Sequence, residues 1–321
     1  MILVTGAAGF VGRALCAALV SSHAVRAAVR SVACADLPED IEIVARELSQ
    51  GTDWSGALVG VSAVVHCAAR VHIMDDLSAD PLAEFRRVNV DGTLSLAKQA
   101  AVAGVKRFVF LSSIKVNGEQ TQVGAPFIAD QQNDPGDPYG VSKMEAEVGL
   151  RALAMETGME VVIIRPPLVY GPGVKANFLA MMRWLKRGIP LPLGAVTGNK
   201  RSLVALDNLV DFIITCLDHP AAANQIFLVS DGESLSAATL LRRMGDALGR
   251  PARLIPVPVS LLQLGATLLG KRGVAQRLCG SLEVDISKTQ ELLGWVPPIS
   301  VDEGLRRTAA HWIESQRMSR S

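Results

Sequence analysis

The chain has 321 residues, enough for one large domain or two domains of ordinary size. Its 32 Lys and Arg residues nearly balance 31 Asp and Glu residues, and a net charge of +1 argues against binding nucleic acid through its phosphates. A hydrophobic share of 49% with only 4% aromatic residues excludes a disordered chain and predicts a core of Ala, Val, Leu and Ile.

Short apolar runs alternate with helical stretches over the first 165 residues. The predicted strands are 2–5, 24–29, 41–44, 63–66, 107–111 and 160–165, and the predicted helices are 10–21, 81–103 and 138–157. This alternation is typical of β-α-β units, and the continuous Val, Ile and Ala runs suit strands buried on both faces of a parallel sheet. The predicted fold class is therefore α/β, with a doubly wound parallel sheet.

The first predicted strand leads directly into the turn Gly6-Ala7-Ala8-Gly9, which opens the first predicted helix. In this context Gly6 suits a tight turn, Gly9 lets the backbone approach a pyrophosphate, and Gly12 lets helix and strand pack closely. The N–H groups at the start of the helix suit phosphate oxygens. The turn therefore predicts a dinucleotide site.

The end of the second predicted strand bears on the choice between NAD and NADP. An acidic residue that holds the ribose hydroxyls of NAD is expected ~20 residues after the glycine turn. This sequence has Arg26 and Arg30 there, and both suit a 2′-phosphate instead. Arg30 therefore predicts NADP(H) as the preferred cofactor, with NAD possible. Glu47 and Leu48, after the third predicted strand, are candidates to border the adenine.

A group of reactive side chains follows the fifth predicted strand and opens the helix 138–157. Ser112 and Ser113 end the strand, and Tyr139 and Lys143 lie four residues apart, on one face of the helix. A nearby ammonium lowers the pKa of a tyrosine from its ordinary value of ~10. Tyr139 could then exchange a proton with a hydroxyl or carbonyl oxygen held by Ser113, while a nicotinamide carries the hydride.

After residue 165 the composition of the sequence changes: Pro and Gly become more frequent, and fewer strands are predicted. We expect a nucleotide-binding domain over 1–168 and a substrate-binding α/β lobe over 169–321. Residues 206–229 are expected to return to the main sheet. The most apolar stretch, 257–270, is shorter than the ~20 residues that span a bilayer, although it could touch a membrane surface.

Together these residues resemble the extended short-chain dehydrogenase/reductase superfamily, in its NAD-dependent epimerase/dehydratase branch, over nearly the whole chain. The resemblance implies a Rossmann-type domain and a homodimer formed through the helices 81–103 and 138–157. The catalytic candidates are Ser113, Tyr139 and Lys143. The cofactor-binding candidates are Gly6, Ala8, Gly9, Phe10, Val11, Arg30, Glu47, Leu48, Ala68, Ala69, Arg70, Asn89, Tyr139, Lys143, Pro166 and Val169.

The second lobe resembles that of enzymes acting on nucleotide-diphosphate sugars. By this resemblance, Asn177 binds the pyrophosphate, Arg201 binds a phosphate, and Leu193 lies in the loop against the base, usually uracil. A UDP-sugar is therefore the expected small-molecule partner. The substrate-binding candidates are Ser112, Ser113, Lys115, Asn177, Leu193 and Arg201.

Two reactions fit this resemblance, and the sequence favours the first. A 4-ketoreductase consumes NADPH, which suits Arg30, and residues 112–119 are similar to bacterial proteins that reduce UDP-4-keto-6-deoxy-N-acetylhexosamine to UDP-N-acetylquinovosamine or its C4 epimer for surface polysaccharide. A UDP-sugar 4-epimerase keeps one bound NAD and usually has an aromatic residue where Asn117 stands. Reduction of a steroid-like or flavonoid-like ketone is a third alternative, and a non-catalytic NADP-binding redox sensor is a fourth. Tyr139 and Lys143 argue against the sensor.

Cysteine spacing and the first residues bear on compartment and metal content. The five cysteines are scattered and form no C-x-x-C motif, so we expect reduced thiols, no disulfide framework and no metal site. Residues 1–4 lead straight into the glycine turn, so we expect no export signal. The sequence therefore predicts a cytoplasmic enzyme without an integral membrane segment.

Overall fold

The computed structural model describes residues 1–32, 36–71, 80–131, 134–270 and 272–318. Seven parallel strands form the main sheet, in the spatial order β3-β2-β1-β4-β5-β6-β9, which confirms the predicted α/β fold with its doubly wound sheet. A smaller sheet has the order β10-β8-β7. The strands are β1 (Ile2–Thr5), β2 (Val25–Val29), β3 (Glu42–Ala45), β4 (Ala63–His66), β5 (Arg107–Leu111), β6 (Glu160–Arg165), β7 (Leu168–Tyr170), β8 (Arg201–Ala205), β9 (Ile226–Leu228) and β10 (Ser234–Leu235).

The helices connect these strands and cover both faces of the main sheet. The predicted helix 81–103 is three segments, because a π-helical segment, Arg87–Gly92, separates its two α-helical parts. The helices are α1 (Phe10–Leu19), α2 (Ser55–Leu58), α3 (Pro81–Arg86), α4 (Thr93–Val102), α5 (Pro138–Thr157), α6 (Ala176–Arg187), α7 (Leu206–Asp218), α8 (Ala237–Ala247), α9 (Val259–Leu268), α10 (Arg272–Cys279), α11 (Ser287–Leu293) and α12 (Val301–Met318).

Apart from the edge strand β3, the strands of the main sheet are buried on both faces, as their apolar sequences predict. Neighbouring residues of β1 illustrate this, since Leu3 belongs to one hydrophobic cluster and Val4 to another. The Val4 cluster includes residues of α1 and α7, and the Leu3 cluster includes residues of α4 and α5. Successive side chains of a strand point to opposite faces, so each cluster packs one layer of helices against the sheet.

The chain returns to the main sheet between two strands of the smaller one. β7 and β8 are parallel, β9 then pairs with β6 in the main sheet, and β10, which follows β9, is antiparallel to β8. A third hydrophobic cluster joins the smaller sheet to α6, α8 and α12, with Tyr170 and Phe178 stacked 5.4 Å apart at its centre. The assignment of residues 169–321 to a separate substrate lobe stays a prediction.

The thiols that the structure describes are unpaired. Cys16, Cys67, Cys216 and Cys279 are free, whereas Cys34 lies outside the described residues. Burial raises the pKa of both Cys16 and Cys67 to about 12, so these two thiols are protonated at neutral pH. Within the described ranges, no group of three or more His, Cys, Asp and Glu side chains is placed to hold a metal ion. Nor does any helix of these ranges have the length and apolarity to cross a membrane.

Candidate active site

The glycine turn, the residues after β4, Ser113 and Pro166 follow the carboxyl ends of four adjacent strands. β1, β4, β5 and β6 are neighbours in the sheet, and the spatial order of strands reverses between β1 and β4. At such a reversal the connections leave on opposite sides and open a crevice, where doubly wound proteins bind ligands. The glycine turn follows β1, and the reactive side chains follow β5.

The glycine turn approaches the neighbouring backbone so closely that side chains are excluded. Gly6 has a φ of +67°, and a Cβ built there would lie 2.7 Å from the backbone nitrogen of Ala68. A Cβ on Gly12 would lie 2.3 Å from the carbonyl oxygen of Gly6. These distances confirm the tight turn and the close packing of helix on strand. Gly9 is the N-cap of α1 and caps it with no side chain, so the backbone N–H groups of the first turn suit a diphosphate.

The other candidates near this turn come from five segments of the chain. Ala8 lies in the turn, Phe10 and Val11 follow it, and all three pack, half-buried, against the Val4 cluster. Ala68, Ala69 and Arg70 follow β4 and are also half-buried. After β3, Glu47 is exposed and Leu48 is buried against Gly92 of the π-helical segment. The carbonyl of Pro166 accepts a hydrogen bond from Ile114 N. Val169 lies in β7.

The two arginines near the end of β2 have different surroundings. Arg26 is 7% exposed and donates from Nη1 to the carbonyls of Ala57 and Val59, both at 2.8 Å. Its Nε also lies 2.8 Å from Glu42 Oε1. The expectation that Arg26 is free for a 2′-phosphate is therefore wrong, because its guanidinium holds the α2 segment against β2. Arg30 follows β2 directly and is exposed.

Tyr139 stands in the first turn of α5. Asp137 is the N-cap of this helix, and its Oδ1 accepts a hydrogen bond of 2.7 Å from Gly140 N. Its Oδ2 forms an ion pair with Lys115 Nζ, which lies 6.0 Å from the centre of the Tyr139 ring. Phe85 packs edge-on against the same ring, with 5.9 Å between ring centres. The tyrosine is therefore held between α3 and the loop that follows β5.

Lys143, one turn further along α5, is fixed by the end of β5. Its side chain is buried, and Nζ donates a 2.8 Å hydrogen bond to the carbonyl of Leu111 and lies 4.3 Å from the centre of the Phe110 ring. Burial lowers the pKa of Lys143 to about 8, against the opposing effect of Cys67 and Glu147. Two residues after Leu111, half-buried Ser113 accepts a hydrogen bond from Lys115 N at 3.3 Å, which leaves its hydroxyl hydrogen free to donate.

The surroundings of Tyr139 shift its pKa in the direction opposite to the expected one. Burial, followed by the charge of Asp137, raises the pKa of Tyr139 above its ordinary value. We expected Lys143 to lower it, but the Lys143 ammonium is bound to the Leu111 carbonyl. Tyr139 is therefore a protonated phenol in this state, which is the form that donates a proton to a carbonyl oxygen.

A buried ion pair behind these residues was not anticipated from the sequence. Glu147 and Arg165 have side chains only 3% and 1% exposed, and Arg165 Nε donates to Glu147 Oε1 at 2.9 Å. Ser112 donates its hydroxyl to the same carboxylate oxygen at 2.5 Å. This corrects the expectation that Ser112 contacts the substrate, since its hydroxyl is committed to Glu147. The spacing of Glu147, one helical turn after Lys143, was the available signal.

Asn89 and His66 are buried residues that connect the segments around the site by hydrogen bonds. Asn89, buried in the π-helical segment, accepts from Arg70 N at 2.8 Å and donates to Arg70 O and to Ser142 Oγ, both at 3.0 Å. It thus ties the loop after β4 to α5. His66 bonds through its two ring nitrogens to the hydroxyls of Thr5 and Thr93. Burial, with the Lys143 charge, lowers the pKa of His66 to about 3.

The candidates of the second lobe lie on separate elements. Asn177 is exposed in the first turn of α6, and Leu193 is 9% exposed within the third hydrophobic cluster. Arg201 is half-buried at the start of β8, and its Nη1 donates to the carbonyls of Arg277 at 2.7 Å and Gly280 at 3.2 Å. Burial lowers the pKa of Arg201. The guanidinium therefore links β8 to the end of α10.

The profile of the NAD dependent epimerase/dehydratase family matches residues 2–230. The chain is 51% identical over 316 residues to a UDP-glucose 4-epimerase of Vibrio cholerae, covering 98% of this chain and 96% of that protein. A short-chain dehydrogenase/reductase superfamily protein of Agrobacterium tumefaciens, solved with bound NAD, is 25% identical with a TM-score of 0.78, covering 100% of this chain and 99% of that one. MoeE5, solved with UDP-glucose and NAD, is 25% identical with a TM-score of 0.77, covering 98% and 99% of the two chains.

Proposed function

The chain belongs to the NAD dependent epimerase/dehydratase family, and from that premise we propose that it oxidises and reduces C4 of a UDP-linked hexose as a UDP-sugar 4-epimerase. The observation that carries the proposal is the placement of Tyr139 and Lys143 on one face of α5, with Lys143 bonded to Leu111 at the carboxyl end of β5, two residues before Ser113. The 51% identity to a UDP-glucose 4-epimerase supports C4 as the reacting carbon. Epimerisation, the alternative at the sequence level, thus takes precedence over ketone reduction.

The residues of the site have distinct tasks in this reaction. A bound NAD(P) would supply the hydride acceptor and donor for C4. Tyr139 has to be a phenolate to take the proton of the O4 hydroxyl as the sugar is oxidised, and it gives the proton back as the ketone is reduced. The phenol of the free protein must therefore lose its proton before the first oxidation. Ser113 donates a hydrogen bond to the same oxygen. Lys143, one helical turn from Tyr139, supplies the positive charge proposed to stabilise the phenolate, and for this its ammonium has to turn away from the Leu111 carbonyl to which it donates in the free protein.

The chain offers a backbone site that fits the dinucleotide. The Gly6 turn, the uncapped start of α1 at Gly9 and the half-buried Ala68 and Ala69 leave room for a diphosphate next to backbone N–H groups. We propose the cofactor-binding candidates above as its binding residues, with Asn89 acting through Arg70 and Ser142. Lys115, Asn177, Leu193 and Arg201 are proposed for the UDP-sugar. The relatives solved with NAD support that dinucleotide for the epimerase.

The proposed reaction is tested by following the configuration at C4. Purified protein is incubated with UDP-glucose and a catalytic amount of NAD, and proton NMR records the appearance of UDP-galactose. UDP-N-acetylglucosamine is run in parallel, because the sequence alone does not select the substituent at C2. We expect conversion at C4 without net formation of NADH. If the folded, NAD-loaded protein leaves both UDP-sugars unchanged, the result contradicts the proposal.

A second candidate is favoured by two observations. Arg30 is exposed directly after β2, where a 2′-phosphate would lie, and Asn117 occupies the position at which epimerases usually carry an aromatic residue. Asn117 is buried and accepts a hydrogen bond from Arg165 Nη1 at 3.0 Å. These features support an NADPH-dependent reduction of a UDP-4-keto-6-deoxy-N-acetylhexosamine, which would place the protein in surface polysaccharide synthesis.

The 340 nm absorbance of NADPH and NADH with this keto sugar tests the second candidate. Stoichiometric loss of NADPH, with a lower rate for NADH, is the expected result of a ketoreductase. The variant Arg30→Ala should then lose the preference for NADPH by about tenfold, since an arginine–phosphate pair contributes on the order of 1.5–3 kcal/mol. An unchanged ratio of the two rates would remove Arg30 as the selector.

A further inference from the structure

Helix α9 carries exposed leucines along one side. Leu261, Leu264 and Leu268 are 56%, 55% and 79% exposed, and none of the residues of α9 is buried. Their spacing of three and four residues aligns them in one stripe along the helix. Leu269, at the end of the helix, adds a further side chain that is 74% exposed. We call these four side chains the leucine stripe.

The opposite side of α9 already has its packing partner. Val259 and Leu262 are partly buried against the third hydrophobic cluster. The helix is therefore attached to the second lobe by one face and presents a second apolar face outward. Isolated exposed apolar residues are common on protein surfaces, but an aligned set of this kind marks an interaction site. The described part of the chain provides no buried environment for the leucine stripe.

The sequence around α9 is cationic and free of acidic residues. Residues 250–282 contain Arg250, Arg253, Lys271, Arg272 and Arg277 and no Asp or Glu. Because the whole chain has a net charge of only +1, this local excess of +5 is an asymmetric distribution of charge rather than a general property. Arg250, Arg253 and Arg277 are exposed.

A second cationic segment is bonded to the first. Residues 172–206 contain six Lys and Arg residues and no Asp or Glu. At the end of α6, the carbonyl of Lys186 accepts a 2.6 Å hydrogen bond from Arg250 Nη1, and Leu191 N donates to the carbonyl of Arg253 at 2.9 Å. Trp184, in the same helix, is 47% exposed. The cationic side chains of α6 are therefore close to the segment that leads into α9.

We propose that α9 and these flanking cationic segments bind the surface of an anionic lipid bilayer, with the leucine stripe inserted among the lipid headgroups. Aligned leucines, flanking Lys and Arg residues and an absence of acidic residues are the combination that favours interfacial attachment of a helix. A protein partner with an acidic surface would complement the charge but not the leucine stripe. At ten residues, α9 is too short to span the bilayer, so the attachment is peripheral.

Vesicle flotation of the full-length protein, without substrate, tests this proposal independently of the enzymatic reaction. Vesicles of phosphatidylcholine alone are compared with vesicles of equal parts phosphatidylcholine and phosphatidylglycerol. We expect the protein to float with the anionic vesicles and to remain below with the neutral ones. Raising the salt from about 0.05 to about 0.5 M should weaken binding, because salt screens the attraction to anionic headgroups. A protein that floats with neither preparation contradicts the proposal.

A double variant distinguishes binding through the leucine stripe from nonspecific hydrophobic adsorption. L264Q/L268Q removes two exposed leucines while keeping residues that suit a helix, and should lower vesicle binding by about tenfold or more. V59Q/V296Q is the matched control, because Val59 and Val296 are 68% and 67% exposed and lie outside both cationic segments. The control should bind as the unmodified protein does, and both variants should keep its melting temperature.

The same double variant tests the alternative that a second copy of the chain, and not a membrane, covers the leucine stripe. If a second copy of the chain covers the stripe, L264Q/L268Q lowers the molecular mass measured by light scattering, and the unmodified protein does not float with vesicles. That result would overturn the membrane proposal. Equal flotation of L264Q/L268Q and the unmodified protein would overturn it as well.

Discussion

Tyr139 differs from Tyr170, the chain's other tyrosine, in what surrounds its hydroxyl. Tyr170 is fully buried and donates to Asp231 Oδ2 at 2.8 Å, in contact with β8 and α12. Tyr139 is half-buried at the start of α5, near Phe85 and the Lys115–Asp137 ion pair. The chain thus has one tyrosine within the third hydrophobic cluster and one that is proposed to transfer protons.

The pair of tyrosines gives a matched test of the catalytic assignment. Tyr139→Phe should lower kcat by about 10²- to 10⁴-fold, the contribution of a positioned acid–base group, with little effect on stability. Tyr170→Phe should leave kcat within a few-fold, but should lower the free energy of unfolding by about 1–3 kcal/mol because Asp231 loses a buried partner. Steady-state kinetics and urea unfolding of both variants measure the two effects. Full activity in Tyr139→Phe would sink the assignment.

His66 predicts a loss of stability in mild acid. Its pKa is about 3 in the folded protein against an ordinary value of 6.5, so the unfolded chain binds more protons between these values. The free energy of unfolding should therefore fall as the pH drops below about 6.5, by up to about 1.4 kcal/mol per pH unit from this group. Urea unfolding at several pH values, compared with His66→Gln, isolates the contribution. The same slope in both proteins would contradict it.

The residues recovered from the sequence are those fixed by local geometry. A glycine turn between strand and helix, and two side chains one helical turn apart, are determined by backbone spacing, so Gly6, Gly12, Tyr139 and Lys143 could be located. Arg26 could not be interpreted correctly, because its partners at residues 57 and 59 are brought to it by α2. The pKa shift of Tyr139 depends on burial, which spacing does not reveal.

Two ion pairs attach helix α5 to its neighbours: Glu147–Arg165, which is buried, and Glu145–Arg86, which is partly exposed. Glu147 faces Arg165 of β6 and Ser112 after β5, in nearly complete burial. Glu145, two residues earlier, pairs with Arg86 of α3 in a partly exposed position. Two glutamates of one helix thus make the same kind of pair in different environments.

These two ion pairs should differ strongly in their effect on stability and geometry. Glu147→Gln leaves Arg165 charged and buried without its counter-ion, and should cost about 3–5 kcal/mol in unfolding free energy. Glu145→Gln, the matched control, should cost less than about 1 kcal/mol. Glu147→Gln should also reduce kcat more than it raises KM, since the group that positions Ser112, next to Ser113, loses its charge and one of the two oxygens that accept from Ser112 and Arg165. Equal costs for the two variants would contradict this view.

The elements themselves were predictable to different degrees. Alternating apolar runs located the strands of the main sheet to within a residue or two, because buried parallel strands leave a strong signal. The helix 81–103 was interpreted as continuous, since the Pro81 start and Gly104 end mark its limits and a π-helical segment inside it has no such marker. That segment matters to the site because it carries Asn89.

For the whole molecule, exposed apolar residues on α4 and α5 support the homodimer that the family resemblance implies. Val102, Val148 and Met155 are 91%, 60% and 84% exposed, and the last two lie seven residues apart on one face of α5. Light scattering should give a mass of two 34.0 kDa chains. V148E/M155E should reduce it to one chain, whereas L264Q/L268Q should keep the dimer. A monomeric unmodified protein would contradict the dimer.

The chain as a whole is proposed to move a hydride from C4 of a UDP-hexose and to restore it there. The most direct measurement uses UDP-glucose carrying deuterium at C4, with catalytic NAD and NMR detection of the product. We expect UDP-galactose that retains the deuterium at C4 and no net reduction of NAD, and we expect Tyr139→Phe to form no more than a trace of this product. Unchanged UDP-glucose, or equal product formation by Tyr139→Phe, would contradict hydride transfer at C4 with Tyr139 as the proton carrier.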